Sequence, residues 1–231
     1  MLHRNLVHLY QGFGRAIWPL IGSSYAPCLK SSGAFLPHTQ HSTADTLVIR
    51  NQYPLTANTT EPFSVGIHPW YVGGSQVPPC GWRQLSGGEA LVPLAKHPNC
   101  WAIGECGLDK NITTPLPLQQ EIFLKHIYLA ETLELPIIIH CVKAYSEVLH
   151  LRKITKTKQL WILHGFRKNL KVAKECIAHN IALSFGKPLT YSPQLQEVYK
   201  SISPEYRFFE SDDEEMSISK FTNFLIDKFA N

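Results

Sequence analysis

The chain has 231 residues, 44% of them hydrophobic and 17% charged, and a formal net charge of +4 with histidine neutral. That length supplies one sizeable core, and that composition is ordinary globular, which excludes a low-complexity or intrinsically disordered chain. The charge is too small to establish a polyanionic partner, the six cysteines form no Cys-x-x-Cys pair, and no apolar stretch approaches the ~20 residues of a membrane span. Reduced thiols in a cytoplasmic setting are the plain expectation.

Residues 1–32, with Arg4, Arg15 and Lys30 among short apolar patches, lack the compact apolar centre of a secretory signal. They read as a disordered N-terminal extension or a misassigned start, ahead of a single domain over 33–231. Short β-branched or aromatic runs predict strands at 34–37, 46–50, 63–67, 101–105, 136–140, 160–164, 181–185 and 207–211. The first is weak, because Gly33 precedes it and Pro37 interrupts it. Between them, apolar residues recur at three and four. Leu118, Ile122, Phe123, Ile127, Ala130 and Leu133 form one helical stripe, and further helices are expected at 145–156, 168–179, 193–202 and 217–229. Residues 72–88, rich in glycine and proline, read as a loop over a barrel mouth. Continuous apolar strands alternating with helices predict an α/β fold, a (β/α)8 TIM-like barrel of one domain with an atypical first strand.

Several of the expected strands end abruptly in a possible metal ligand. Apolar runs terminate at Glu105, His140 and His164, and Arg207-Phe208-Phe209-Glu210-Ser211 leads into Asp212. A barrel gathers one side chain from each of several strand ends at a common mouth, and carboxylate with imidazole suits a divalent cation. A lone histidine at a strand end is usually a satisfied core or surface group; four such ends in successive units argue for a shared site. Upstream, His38-Thr39-Gln40-His41 stands at the end of the weak first strand. His38 is a further candidate ligand, although a polar turn accounts for it equally well. Trp70 and Tyr71 have the chemistry to stack nucleobases, though rim aromatics more often serve packing. Arg167, Lys168 and Lys171 suit phosphates or plain solvated surface. Asp109 and Glu210 fit carboxylates that orient a histidine or a backbone amide.

In order, these segments resemble the TatD family of metal-dependent deoxyribonucleases within the amidohydrolase-like barrels. Gly66-Ile67-His68-Pro69 and Gly104-Glu105-Cys106-Gly107-Leu108-Asp109 match the family's G-x-H-P and G-E-x-G-L-D blocks in full. His164-Gly165-Phe166 and Glu210-Ser211-Asp212 match in part, and the similarity runs over about residues 35–215. The resemblance implies hydrolysis of phosphodiester bonds in DNA with one or two divalent cations (magnesium, manganese or zinc) per chain. It makes Glu105 a bridging carboxylate, gives His140 and His164 to one metal, sets Asp212 to orient or deprotonate the attacking water, and turns His68 toward substrate phosphate. Three places depart from the pattern. Gln40 replaces the second histidine of an H-x-H pair, Val142 replaces an arginine with Lys143 beside it as a substitute point charge, and Asp213 adds negative charge. Two alternatives stay open: a hydrolase of another phosphoester, ester or amide, and a degenerate member that binds without turnover. No membrane partner is expected. The oligomeric state is not set by sequence, a monomer being the simplest case.

Overall fold

A computed structural model describes residues 7–11, 46–54, 57–72 and 91–210, together with 224 and 228. Eight strands close a barrel in chain order: β1 (Val7–Gln11), β2 (Thr46–Gln52), β3 (Phe63–Val65), β4 (Cys100–Asp109), β5 (Ile137–Val142), β6 (Trp161–Leu163), β7 (Ile181–Phe185) and β8 (Arg207–Glu210). From β2 to β8 every neighbouring pair is parallel. The crossovers carry helices α1 (Leu91–Ala95), α2 (Leu116–Thr132), α3 (Tyr145–Thr155), α4 (Leu170–Ala178), α5 (Pro188–Tyr191) and α6 (Pro193–Ser201). This is the expected α/β barrel. Among the described residues no helix is long and apolar enough to cross a membrane.

The first strand departs from expectation. The segment at 34–37 lies outside the described residues, and the place between β2 and β8 belongs to β1, from the stretch read as an extension. β1 runs antiparallel to both neighbours, pairing Leu9 with Val48 on one side and with Phe209 on the other. Val7-His8-Leu9-Tyr10-Gln11 alternates apolar with polar or aromatic residues, and its pairing satisfies two strand edges that an open sheet would leave bare.

The long helix α2 shows how sequence becomes packing. Ile122, Phe123, Ile127 and Ala130 lie on its buried face, as their spacing predicts. The helix stops where Glu134 takes a left-handed φ of 55° ahead of Pro136. α4 and α6 begin at side-chain caps, Asn169 accepting from the Val172 N–H and Ser192 from the Leu195 N–H. The main core lies between the barrel's outer surface and these helices, with Trp161, Phe63, Phe123, Phe166 and Phe185 its largest fully buried members.

Candidate metal centre

Strand alternation sets the site on an apolar floor. On β5, Ile137 and Ile139 face the helices. Ile138 points inward and joins Ala102, Leu160, Ile162, Ala182 and Phe208 in a separate buried cluster. One inward step toward the C-terminal mouth, the residues turn polar: His140 two beyond Ile138, His164 two beyond Ile162, Ser184 two beyond Ala182, and Glu210 two beyond Phe208. Polar chemistry therefore collects above the last apolar layer, at the end where parallel barrels carry their sites.

Glu105 reaches this layer by a different route. The strand expected to end there continues to Asp109, and Glu105 lies at its middle. Against β5, Ile103 pairs with Ile137 and Cys106 with Ile139, so Gly104 and Glu105 together oppose one residue in a bulge. Gly104 has φ of 135°, and a Cβ on it would meet the Ile138 carbonyl oxygen at 2.4 Å. Gly107, with φ of 141°, packs as tightly against the His140 carbonyl. These glycines let β4 and β5 approach closely while the extra residue re-aims Glu105 into the mouth.

Three imidazoles converge on one oxygen of Glu105. From Oε1, His140 Nδ1 is 2.9 Å away, His68 Nε2 3.6 Å and His164 Nε2 4.0 Å. The other ring nitrogens of two of these histidines face carboxylates: His140 Nε2 lies 3.2 Å from Asp109 Oδ2, and His164 Nδ1 lies 2.7 Å from Glu210 Oε2. A carboxylate behind a histidine fixes its ring and raises its basicity as a ligand. Glu210 is itself held by the Gly165 N–H at 3.0 Å. Asp109 accepts from the Trp70 indole N–H at 2.8 Å and the Asn111 N–H at 2.8 Å.

Both acids are shifted downward. Burial pushes Glu105 up, but the electrostatic pull of His164 and His68 and the hydrogen bond shared with His140 outweigh it and hold its carboxyl well below the usual range. Burial also raises Asp109, and there the donors Trp70, Asn111 and His140 prevail. An ionised, buried carboxylate ringed by imidazole is a donor set that fits a divalent cation. One ligand atom from each of His68, Glu105 and His140 lies within 4.8 Å of the others. His68 differs from the other two histidines. Its Nδ1 accepts from the Trp70 backbone N–H at 3.2 Å, so in the neutral ring the proton sits on Nε2, which then donates instead of ligating.

The structure thus brings together Glu105, His140, His164 and His68, with Asp109, Glu210 and Trp70 behind them. Trp70 is 39% exposed and lies edge-on to His68. Lys143 is exposed just past the end of β5, with φ of 53°. His38 and Asp212 lie outside the described residues, as do Gln40 and His41. Sequence reasoning missed Asn51, whose amide contacts both the main chain and the carboxylate of Glu105. It also missed two polar residues on the buried face of α2. The Gln119 side chain binds the backbone of Asp109, and His126 accepts from the Ile67 N–H at 3.0 Å, next to His68.

A family model described as TatD related DNase matches residues 38–217. Among curated proteins, the chain is 37% identical over 126 residues to an uncharacterised metal-dependent hydrolase of Bacillus subtilis, YabD, covering 53% of this chain and 49% of that protein. It is 33% identical over 120 residues to the 3'-5' ssDNA/RNA exonuclease TatD of Escherichia coli, covering 51% and 43%. The match therefore spans about half the length of each relative or less. A hydrolase of the TatD family from Entamoeba histolytica superposes with a TM-score of 0.56 at 20% identity, over 69% of this chain and 55% of that one, which supports the fold.

Proposed function

This chain belongs to the TatD related DNase family, and on that footing we propose that it is a metal-dependent hydrolase of phosphodiester bonds in nucleic acid, with DNA the first substrate class to test. The observation that carries this reading is the convergence of three imidazoles on Glu105 Oε1, within 4.0 Å, at the C-terminal mouth of the barrel. Glu105, His140 and His164 would hold the cation. When bound, a divalent ion such as magnesium, manganese or zinc neutralises charge on a phosphoryl group and lowers the pKa of nearby water.

The remaining roles follow from chemistry and position. His68, with its proton directed to Nε2 by the Trp70 backbone, donates a hydrogen bond to a phosphate oxygen. Lys143 adds a point charge at the rim, without the bidentate fork of arginine. The exposed ring of Trp70 offers a stacking face to a base while its indole N–H holds Asp109. Asp212, two residues beyond Glu210, is the residue type that accepts a proton from the attacking water, and His38 is a further ligand candidate. The buried free thiols of Cys100, Cys106, Cys141 and Cys176 agree with a reducing, cytoplasmic setting.

The test is release of nucleotides from single-stranded DNA and from RNA by purified protein with magnesium or manganese, beside a Glu105→Ala control. Activity lost in the variant by about a thousandfold supports the reading. Equal nucleotide release by both proteins, or a preference for phosphomonoesters, esters or amides over either polymer, refutes it.

A further inference from the structure

The two oxygens of Glu105 meet different chemistry. Oε1 has the ring nitrogens of His140, His68 and His164 around it at 2.9, 3.6 and 4.0 Å. Oε2 accepts instead from the side-chain amide of Asn51, whose Nδ2 lies 3.3 Å away. The direction of that amide is set by its other contacts. Its Oδ1 accepts from the Glu105 main-chain N–H at 2.6 Å and from the Ser64 hydroxyl at 3.2 Å. Ser64 is the residue that pairs with Asn51 across β2 and β3. An atom taking a main-chain N–H must be the carbonyl oxygen, so the NH2 end is the one left facing Oε2.

A carboxylate that bridges two cations offers one oxygen to each. Here one oxygen is already directed at an N–H dipole, which repels a cation approaching along the same line. We infer that this site holds a single cation on the Oε1 side of Glu105, and that the Asn51 amide takes the position from which a second ion would reach Oε2. The amide steadies the carboxylate without supplying or requiring charge. Gln40, where the family pattern has a histidine, points the same way, because a neutral amide is a poorer ligand than imidazole. The inference rests on the cation-binding reading above and restricts its stoichiometry. Asn51 becomes a positioning residue, acting through Glu105.

The experiment is equilibrium dialysis of the full chain against excess manganese, with bound metal counted per chain by mass spectrometry and folding followed by circular dichroism. The wild type is expected to bind one ion. Asn51→Asp keeps the oxygen that accepts from Glu105 and Ser64 but turns the facing amide into a second carboxylate oxygen, and is expected to bind two. Asn51→Ala is expected to bind one, about 10- to 100-fold more weakly. Two ions on the wild type overturn the inference and leave the hydrolase reading standing. A folded Asn51→Asp that still binds one ion overturns the role of Asn51, and if that variant fails to fold, the wild-type count and Asn51→Ala decide. No uptake by the wild type refutes the cation-binding reading itself.

Discussion

His126 ties the stability of the barrel to pH. It lies on the inner face of α2 with no solvent exposure, its Nδ1 2.8 Å from the Ile122 carbonyl and its Nε2 accepting from the Ile67 N–H. Both contacts are made by a neutral ring. Burial drives its pKa down from 6.5 to about 4, against the opposing pull of the Ile122 carbonyl. The unfolded chain therefore takes up a proton as pH falls through 6.5, while the native chain does not. Stability from this group is complete above that pH and is lost progressively down to about 4. At ~1.4 kcal/mol per pH unit the full loss is about 3 kcal/mol, of which about 2.5 is gone by roughly pH 4.5. The assay is urea unfolding of wild type and His126→Gln, in chelator, at about pH 7.5 and about pH 4.5. The variant is expected to be less stable at the higher pH by about 1–3 kcal/mol, and that gap should shrink by about 2.5 kcal/mol at the lower. A gap that stays constant within ~0.5 kcal/mol refutes the assignment of a neutral, buried His126.

Four further outcomes follow from the same geometry. Asp109→Asn removes the carboxylate behind His140 and should weaken manganese binding about 10- to 100-fold by calorimetry, with the fold intact. Gly107→Ala sets a methyl against the His140 carbonyl at a φ of 141°, and should cost about 3 kcal/mol or more in urea unfolding or leave the protein insoluble. Lys143→Ala should raise KM for a DNA substrate about fivefold with kcat little changed, and Lys143→Arg should restore it. Stripping divalent ions with EDTA should abolish hydrolysis, and returning manganese at about a hundred times its Kd should add about 2.7 kcal/mol of stability, raising Tm by roughly 5–10 °C.

Much of the barrel was legible because buried parallel strands are continuous apolar runs, and the switch to a polar residue marks the mouth. His140 and His164 stood out for that reason. Glu105 stood out as well, but for an incomplete reason: its strand was expected to end at residue 105, whereas it bulges there and runs on to Asp109. Asn51 was hidden because β2 ends in three consecutive polar residues, Arg50, Asn51 and Gln52, and only pairing with Ser64 decides which of them faces inward. Gln119 reads from its spacing as part of the polar face opposite the α2 stripe, with Lys125 and Glu131, yet it is buried, as is His126, because each finds a backbone partner that no spacing reveals. β1 could not be found from local pattern, since five residues carry little signal and its partners lie far along the chain.

Closure of the cylinder has a temporal consequence. The seam joins His8 to Glu210, so its last hydrogen bonds cannot form until the segment that carries Glu210 has been made. At ~5–20 residues per second, the first strand waits on the order of 10–40 s for its second partner. Until then the margins of the growing sheet stay open to foreign strands, and the nascent chain passes through its most aggregation-prone interval before any ligand-holding ring exists.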